Sequence, residues 1–279
     1  MSRLEDDPAL VLAGEALKKH YGGALPKKLS MQSVERPEGW GRAIIVADAT
    51  KPPPGEPFLI AVDGKGAVKW TRERPAAGIL APIGPFAIGA GPKGRVALAV
   101  CDPPTTRVAL RLWDDDGMPF ADYDAMDMDD CSSISLLRWP RRGFLIVATR
   151  AGTTKAQLVS DNGGLQWRRG YEIGARSVTG APASIAADTD ESFMLVQYGA
   201  VTAEPGARVH ALAFRFDPNG APLWTKPSDL GVAPVDRPAD DRIVLTRPKA
   251  GQIRATLSKD HVADVSSNGT VTVVSQLKQ

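Results

Sequence analysis

The sequence is poor in the residues from which reactive sites are usually made. Among 279 residues there are two cysteines and three histidines. Two cysteines exclude a disulfide framework, and Cys101 and Cys131, without CxxC spacing, read as free packing thiols rather than as nucleophiles. His20, His210 and His261 fall in unrelated segments, which argues against a three-histidine metal site. No charge of either sign dominates: 34 Lys and Arg stand against 32 Asp and Glu, a net of +2. Such a chain has no global field for a polyanion, and its scattered basic residues form no aromatic-interleaved stripe, so a nucleic-acid partner is not expected. Nor is there an apolar run long enough to cross a bilayer or a signal peptide at the start, which predicts no membrane insertion. The expected location is the cytoplasm, or outside the cell if a leader has been trimmed.

Helical periodicity is also nearly absent. Asp7 followed by Pro8 is a good helix start, and a helix is expected from Pro8 to His20, ended by Gly22 and Gly23. The rest of the chain is rich in glycine (27) and proline (23) and runs in short alternating or β-branched stretches, the pattern of strands.

What is present is a repeat. In "FRFDPNGAPLW", Asp217 can bond the backbone ahead of it, Pro218 presets φ, and Gly220 supplies a left-handed residue. Similar hairpins occur at Asp63-Gly66-Trp70, Asp114-Gly117-Phe120, Asp161-Gly164-Trp167 and Ser266-Gly269-Val273. Their period is about 50 residues, that of propeller blades. A second punctuation of basic Pro/Gly turns falls between them: "RPEGWG", "GPKG", "WPRRG" and "RPKAG", with "DTDES" at Asp188 to Ser192 in the fourth unit. The expected fold is all-β, a five-bladed β-propeller of four-stranded antiparallel blades with a short N-terminal helix. The helix and linker take residues 1–29 and the propeller 30–279, with blades near 30–75, 84–125, 131–174, 182–228 and 240–279. The aromatics Trp70, Phe120, Trp167 and Trp224 are expected to fill the spaces between blades.

On these hairpins the chain resembles the quinoprotein-like propellers, whose blades carry a D-x-x-G turn and a tryptophan four residues later. The resemblance implies the fold. The calcium site and aspartate base of quinone-binding members have no counterparts here, so it implies no quinone cofactor. "SDNGGLQW" is also similar to the Asp box of sialidases, but Trp167 is one position too far on and no arginine triad accompanies it.

On one face, the turns between first and second strands place Arg36, Lys93, Arg141, Arg142 and Lys249 near the channel, a basic ring that could hold an acidic loop of another protein. The opposite face carries the long connections, including "TRERPAAGILAPIG" and the acidic "YDAMDMDDCSS". Between Arg111 and Arg138 stand eight aspartates and no basic residue. Of these, Asp122, Asp124, Asp127, Asp129 and Asp130 are expected in a loop and are the candidate ligands for calcium as a cofactor. The innermost strands have no carboxylate at their centres, with Asp188, Asp240 and Asp241 only at their ends, so an acid/base pair in the funnel is not expected.

With no assembled catalytic set, the expected function is a non-enzymatic scaffold whose partner is another protein. Two alternatives are a small-molecule or calcium-binding, lectin-like propeller, suggested by the aspartates and by Trp40, Trp113 and Trp139, and a hydrolase or lyase with its residues in the long loops.

Overall fold

In the computed structural model the described residues are 8–48, 50, 57–76, 85–102, 105–150, 152–167, 171–172, 182–200, 208–233, 243–258 and 261–276. Apart from helix α1 (Pro8–His20), they form consecutive antiparallel strands in groups of four. The first sheet is β1 (Leu29–Arg36), β2 (Gly41–Asp48), β3 (Phe58–Val62) and β4 (Val68–Glu73). The second is β5 (Phe86–Ala90), β6 (Val96–Asp102), β7 (Arg107–Trp113) and β8 (Pro119–Asp127). The third is β9 (Ser133–Trp139), β10 (Gly143–Arg150), β11 (Thr153–Val159) and β12 (Tyr171–Glu172). The fourth is β13 (Ser184–Ala187), β14 (Phe193–Ala200), β15 (Val209–Phe216) and β16 (Ser228–Val232), and the fifth β17 (Val244–Lys249), β18 (Gln252–Ser258), β19 (His261–Ser266) and β20 (Val271–Gln276). Within each sheet strand order follows chain order, each strand pairing with the one before it.

Two compact units divide the chain. One comprises residues 1–129, 140–144 and 159–165, the other residues 130–139, 145–158 and 166–279. In the first, Ala43, Ile45, Leu59 and Trp70 of sheet one pack against Phe86, Ile88, Val96, Leu98 and Trp113 of sheet two. The other face of sheet one is covered by α1, whose Ala13 and Leu17 are buried against Ile44, Val46, Phe58, Ile60 and Val62. In the second unit Trp139, Leu145, Val147, Leu158 and Trp167 of the third sheet meet Phe193, Leu195 and Phe216 of the fourth. The fourth packs its other face, through Met194, Val196 and Tyr198, on Ile253, Ala255 and Val265 of the fifth. Strand β18 alternates buried Ile253, Ala255 and Leu257 with half-buried Gln252, Arg254 and Thr256, so sheet five buries one face more completely than the other.

The hairpin turns explain the repeat. In all five, the glycine N–H donates to the carbonyl three residues back: Gly66 to Asp63, Gly117 to Asp114, Gly163 to Ser160, Gly220 to Asp217 and Gly269 to Ser266, at 2.9 to 3.1 Å. The third turn therefore begins at Ser160 and closes on Gly163 (φ 90°), not at Asp161 and Gly164 as the sequence suggested. Serine takes the place of aspartate there, its Oγ accepting the Gly164 N–H at 3.0 Å.

With that register the residue four beyond each turn glycine is Trp70, Ala121, Trp167, Trp224 and Val273. Each tryptophan donates its indole N–H to the second residue of a later turn: Trp70 to Asp115 at 2.6 Å, Trp167 to Pro218 at 3.2 Å and Trp224 to Ser267 at 2.9 Å. The ring lies on that turn's glycine, so a Cβ at Gly117 would stand 2.7 Å from the Trp70 ring, and φ of 78° there already disfavours a side chain. Phe120, expected between blades, is instead 39% exposed, because Ala121 holds the equivalent position. Its guanidinium neighbour supplies the missing donor: Arg95 lies over the Phe120 ring at 4.7 Å and bonds the Asp161 carbonyl at 3.0 Å. Tyr123 Oη donates to the Asn162 carbonyl alongside.

Neither cysteine is a free thiol. Both Cys101 and Cys131 are disulfide-bonded, which corrects the sequence reading. Cys101 is fully buried on β6 and Cys131 nearly so, and burial alone does not distinguish a packing thiol from a bridged one.

Two outcomes are expected. Trp70→Phe loses the hydrogen bond and the pyrrole half of the indole, costing about 1 kcal/mol or more and lowering the melting temperature by at least roughly 2–4 °C by calorimetry. Denatured protein kept from reductant should not react with a thiol reagent, and after reduction should react at two sites; reaction before reduction would refute the bridge.

Candidate functional site

One groove in the first unit gathers charged and aromatic side chains. Its volume is about 230 Å³. The end of β4 contributes Arg72 and Glu73, followed by Arg74 and Pro75. Arg74 has φ of 57°, a left-handed residue that turns the chain out of the strand. From sheet two come Arg111 and Trp113 of β7 and Pro119, Ala121 and Asp122 of β8.

The ladder sets these positions. Arg111 stands opposite Asp122, and a register shift between Leu112 and Trp113 sets Trp113 opposite Pro119. Arg111 bonds the Pro75 carbonyl at 2.8 Å and the Asp122 carboxylate at 3.2 Å, while its Nε is buried without a hydrogen-bond partner. Arg72 gives its Nε to the Gly117 carbonyl at 2.9 Å, where Nη2 also bonds, and Nη1 to the Thr71 carbonyl at 3.1 Å. Backbone carbonyls thus hold both guanidinium groups in place, and Arg111 is paired with Asp122 as well. Glu73 and Asp122 are mostly exposed, at 74% and 62%, and Glu73 lies 4.0 Å from His20 of α1. Trp113, by contrast, is 4% exposed and forms an apolar wall.

The acidic segment is not a loop. Asp122, Asp124 and Asp127 lie on β8, and only Asp129 and Asp130 follow it. Asp122 faces Arg111, and Asp124 pairs with Arg107, so cross-strand arginines of β7 take up the carboxylates. Among the described residues no three His, Cys, Asp or Glu side chains form a group that could hold a metal ion.

The basic residues are also dispersed in role. Arg36, at the end of β1, has a fully buried side chain bonded to the Gly94 carbonyl at 3.1 Å, the Val62 carbonyl at 2.8 Å and Asp115 at 2.7 Å. It joins sheet one to the turns of sheet two rather than facing solvent; burial, opposed by Asp63, lowers its pKa. Lys93, Arg141 and Lys249 are exposed and Arg142 is half-buried. Lys93 and Arg141 adopt φ of 55° and 64° in their turns.

The fourth unit reverses the arrangement at Arg36. Here the acceptors are on the turn, the carboxylates of Asp188 and Asp190 and the hydroxyl of Ser192, and the arginine is Arg215 of β15. Its Nη2 meets Asp188 at 3.0 Å and Asp190 at 2.7 Å, and Asp188 also accepts the Gly251 N–H at 3.2 Å from the fifth sheet. Asp188 is thus a structural anchor. The other two strand-end carboxylates considered, Asp240 and Asp241, lie outside the described residues, as do most of the long connections. Polar side chains on inner strands bond neighbouring backbone: Gln32 of β1 donates to Phe86 at 2.7 Å, and Ser135 of β9 to Ala183 at 2.6 Å.

No family model matches the sequence, and no curated protein is significantly similar to it. Solved structures are similar in fold. Puromycin hydrolase superposes with a TM-score of 0.52 at 14% identity, over 90% of this chain and 38% of that one, so this chain spans well under half its length. A thermostable family-43 glycoside hydrolase gives 0.42 at 12% identity, over 68% and 71% of the two chains. An exo-β-1,3-galactanase from Clostridium thermocellum gives 0.43 at 10%, over 89% and 70%. The described residues are nearly all β, in five four-stranded sheets consistent with a β-propeller. The expectation of a non-enzymatic protein-binding scaffold is overturned, since these similar structures are mostly hydrolases. Among the described residues no helix is long and apolar enough to cross a membrane.

Two carboxylates have clear electrostatic settings. Hydrogen bonds from Arg254 at 2.7 and 2.8 Å, opposed by burial, hold Asp264 below the ordinary aspartate value. Burial opposes ionisation of Asp190, but bonds from Ser192 and Arg215 outweigh it and its pKa is lowered too. A carboxyl whose folded pKa is depressed stabilises the fold above its unfolded value, near 3.9, and loses that stabilisation as pH falls through the lower folded value. Melting temperature should therefore drop with acid below about pH 4, and Asp264→Asn should make that acid limb shallower. An acid limb unchanged by the substitution would show that the pair is not coupled to folding.

Proposed function

We propose that the chain is a hydrolase acting at the groove between the end of β4 and the β7–β8 edge of sheet two. What carries this reading is the presence of two solvent-facing carboxylates, Glu73 and Asp122, in one cavity with three arginines and a tryptophan wall. Hydrolysis joins the oxygen of water to an electrophilic carbon as that carbon's bond to the leaving oxygen or nitrogen breaks. One group removes a proton from water and another returns a proton to the leaving atom. Glu73 and Asp122 are the two groups in the groove able to share these roles. Glu73 ends β4 and is the third residue of the Thr71–Gly84 segment, one of the long connections to which the sequence assigned the hydrolase alternative. The likeness to puromycin hydrolase supports this class of reaction by analogy of fold.

The same reading takes the five sheets as blades of one propeller with quinoprotein-like repeats. The three tryptophan-to-turn bonds support that repeat type. The disulfide-bonded cysteines favour an oxidising compartment over the cytoplasm.

A panel of chromogenic glycosides and carboxylic esters tests the reaction. At least one should be hydrolysed, with kcat reduced about 100-fold or more in Glu73→Gln and in Asp122→Asn while both variants stay folded. Turnover that survives both substitutions would remove the groove as the active site. No turnover across the panel would remove the hydrolase reading.

A further inference from the structure

The chain has three asparagines, Asn162, Asn219 and Asn268, and a glycine follows each. The three pairs sit in the hairpin turns of sheets three, four and five, where Gly163, Gly220 and Gly269 have φ of 90°, 84° and 88°. An asparagine in this setting can modify itself. The glycine nitrogen gives up its proton to hydroxide and attacks Cγ of the asparagine side chain. The new N–C bond closes a five-membered succinimide while the Cγ–Nδ2 bond breaks, and the departing nitrogen takes a proton from water and leaves as ammonia. A second water opens the ring at one of its two carbonyls, which gives aspartate or, with the main chain rerouted through the side-chain carbon, isoaspartate. Glycine leaves the attacking nitrogen unshielded because it has no Cβ.

The closed turns oppose this chemistry. The three attacking nitrogens donate their N–H groups to carbonyls three residues back, at 2.9 Å in Gly163, 3.0 Å in Gly220 and 2.9 Å in Gly269. Reaching Cγ requires rotating the asparagine backbone and breaking that bond, so the hairpin must open locally before its asparagine converts. Opening is resisted by the donor that each turn receives from the sheet before it: Trp167 on Pro218, Trp224 on Ser267, and Arg95 with Tyr123 on Asp161 and Asn162. The asparagine side chains themselves are held unequally. The amide oxygen of Asn268 accepts the Thr270 N–H at 3.0 Å and the Ser266 hydroxyl, and that of Asn162 accepts Arg95 at 3.3 Å. Gly163 is buried against Tyr123, away from hydroxide. Asn219 is exposed, and its side chain bonds to none of the described residues.

We infer that the Asn-Gly turns are sites of self-modification gated by the ties between sheets, with Asn219 the first to convert and Asn162 the last. The inference is independent of the groove and of the reaction proposed there. Isoaspartate at 219 lengthens the main chain by one carbon between Pro218 and Gly220. The turn then no longer presents the Pro218 carbonyl and the bare glycine to Trp167 together, and the tie between sheets three and four is lost. The modification thus sets a chemical lifetime for that tie.

The test is ageing of the full chain at mildly alkaline pH, in buffer and in denaturant, with peptide mass spectrometry following the mass gained as each amide becomes a carboxyl. In buffer the order should be Asn219, then Asn268, then Asn162. In denaturant the three should react at similar rates, each about tenfold or more faster than in buffer. Trp167→Phe should speed Asn219 about fivefold, the effect of one hydrogen bond on an opening equilibrium, and leave Asn268 unchanged; Trp224→Phe should do the reverse. The wild-type comparison needs no variant, so it decides the matter even if a substitution prevents folding. Equal rates at the three sites in buffer, native rates that match the denatured ones, or folded tryptophan variants that change all sites alike or none would overturn the inference. Aged wild type should also melt lower than fresh protein, and Asn219→Gln should lose less on ageing; equal losses would remove Asn219 as the site that limits the tie.

Discussion

A hydrogen bond from an indole N–H to the second carbonyl of a later hairpin turn ties neighbouring sheets together in each unit. Trp70, Trp167 and Trp224 all make it, and in each case the indole ring also lies against the turn glycine. The turn must present a carbonyl outward and a glycine with no side chain, so its conformation and the spacing of the sheets are one constraint. Asp63, Asp114 and Asp217 hold the turn from within, by accepting backbone N–H groups two or four residues ahead. A turn fixed by its own aspartate is a rigid target for the tryptophan, which lowers the entropy lost when the two sheets meet.

Where the tryptophan is absent the same acceptor is still used. Sheet two has Ala121 at the equivalent position, and Arg95 reaches the Asp161 carbonyl while Tyr123 takes Asn162. The conserved quantity within this molecule is therefore the satisfied carbonyl, and the donor varies. Arginine ties repeat the theme at the other turns. Arg36 carries its bonds from sheet one to Gly94 and Asp115, and Asp188, itself held by Arg215, receives the Gly251 N–H. Unlike an indole, these groups carry charge, so they work only because each is buried with a partner.

The hairpins were legible in the sequence because turn chemistry is local: Asp, Pro and Gly act on atoms within four residues. The helix was legible for the same reason, through Asp7-Pro8 at its start. The third turn was misread by one residue because Ser160 can do the work of aspartate, and because "DNG" offers a second plausible turn beside it. The acidic run was misread as a loop because its partners are distant: Arg111 and Arg107 reach Asp122 and Asp124 only across the β7–β8 ladder. Composition shows eight aspartates, but only register shows that two of them face arginines. The groove was hidden for the same reason. "TRER" reads only as the start of a long connection until the fold brings Trp113 and Arg111, some 40 residues later, to its side. The cysteines could not be resolved by spacing, since a disulfide leaves no local signature in the sequence.

The way α1 lies on sheet one bears on the order in which the chain can fold. Both parties to that contact, residues 8–20 and 29–73, are adjacent in sequence, and their shared core runs from Ala13 to Val62. Contacts this local form early, because little loop entropy must be lost to make them. During synthesis the helix and the first sheet can thus close over one face before the second sheet has left the ribosome. The side that waits is the one carrying Ala43, Ile45, Leu59 and Trp70, which then serves as a template on which the next sheet is laid.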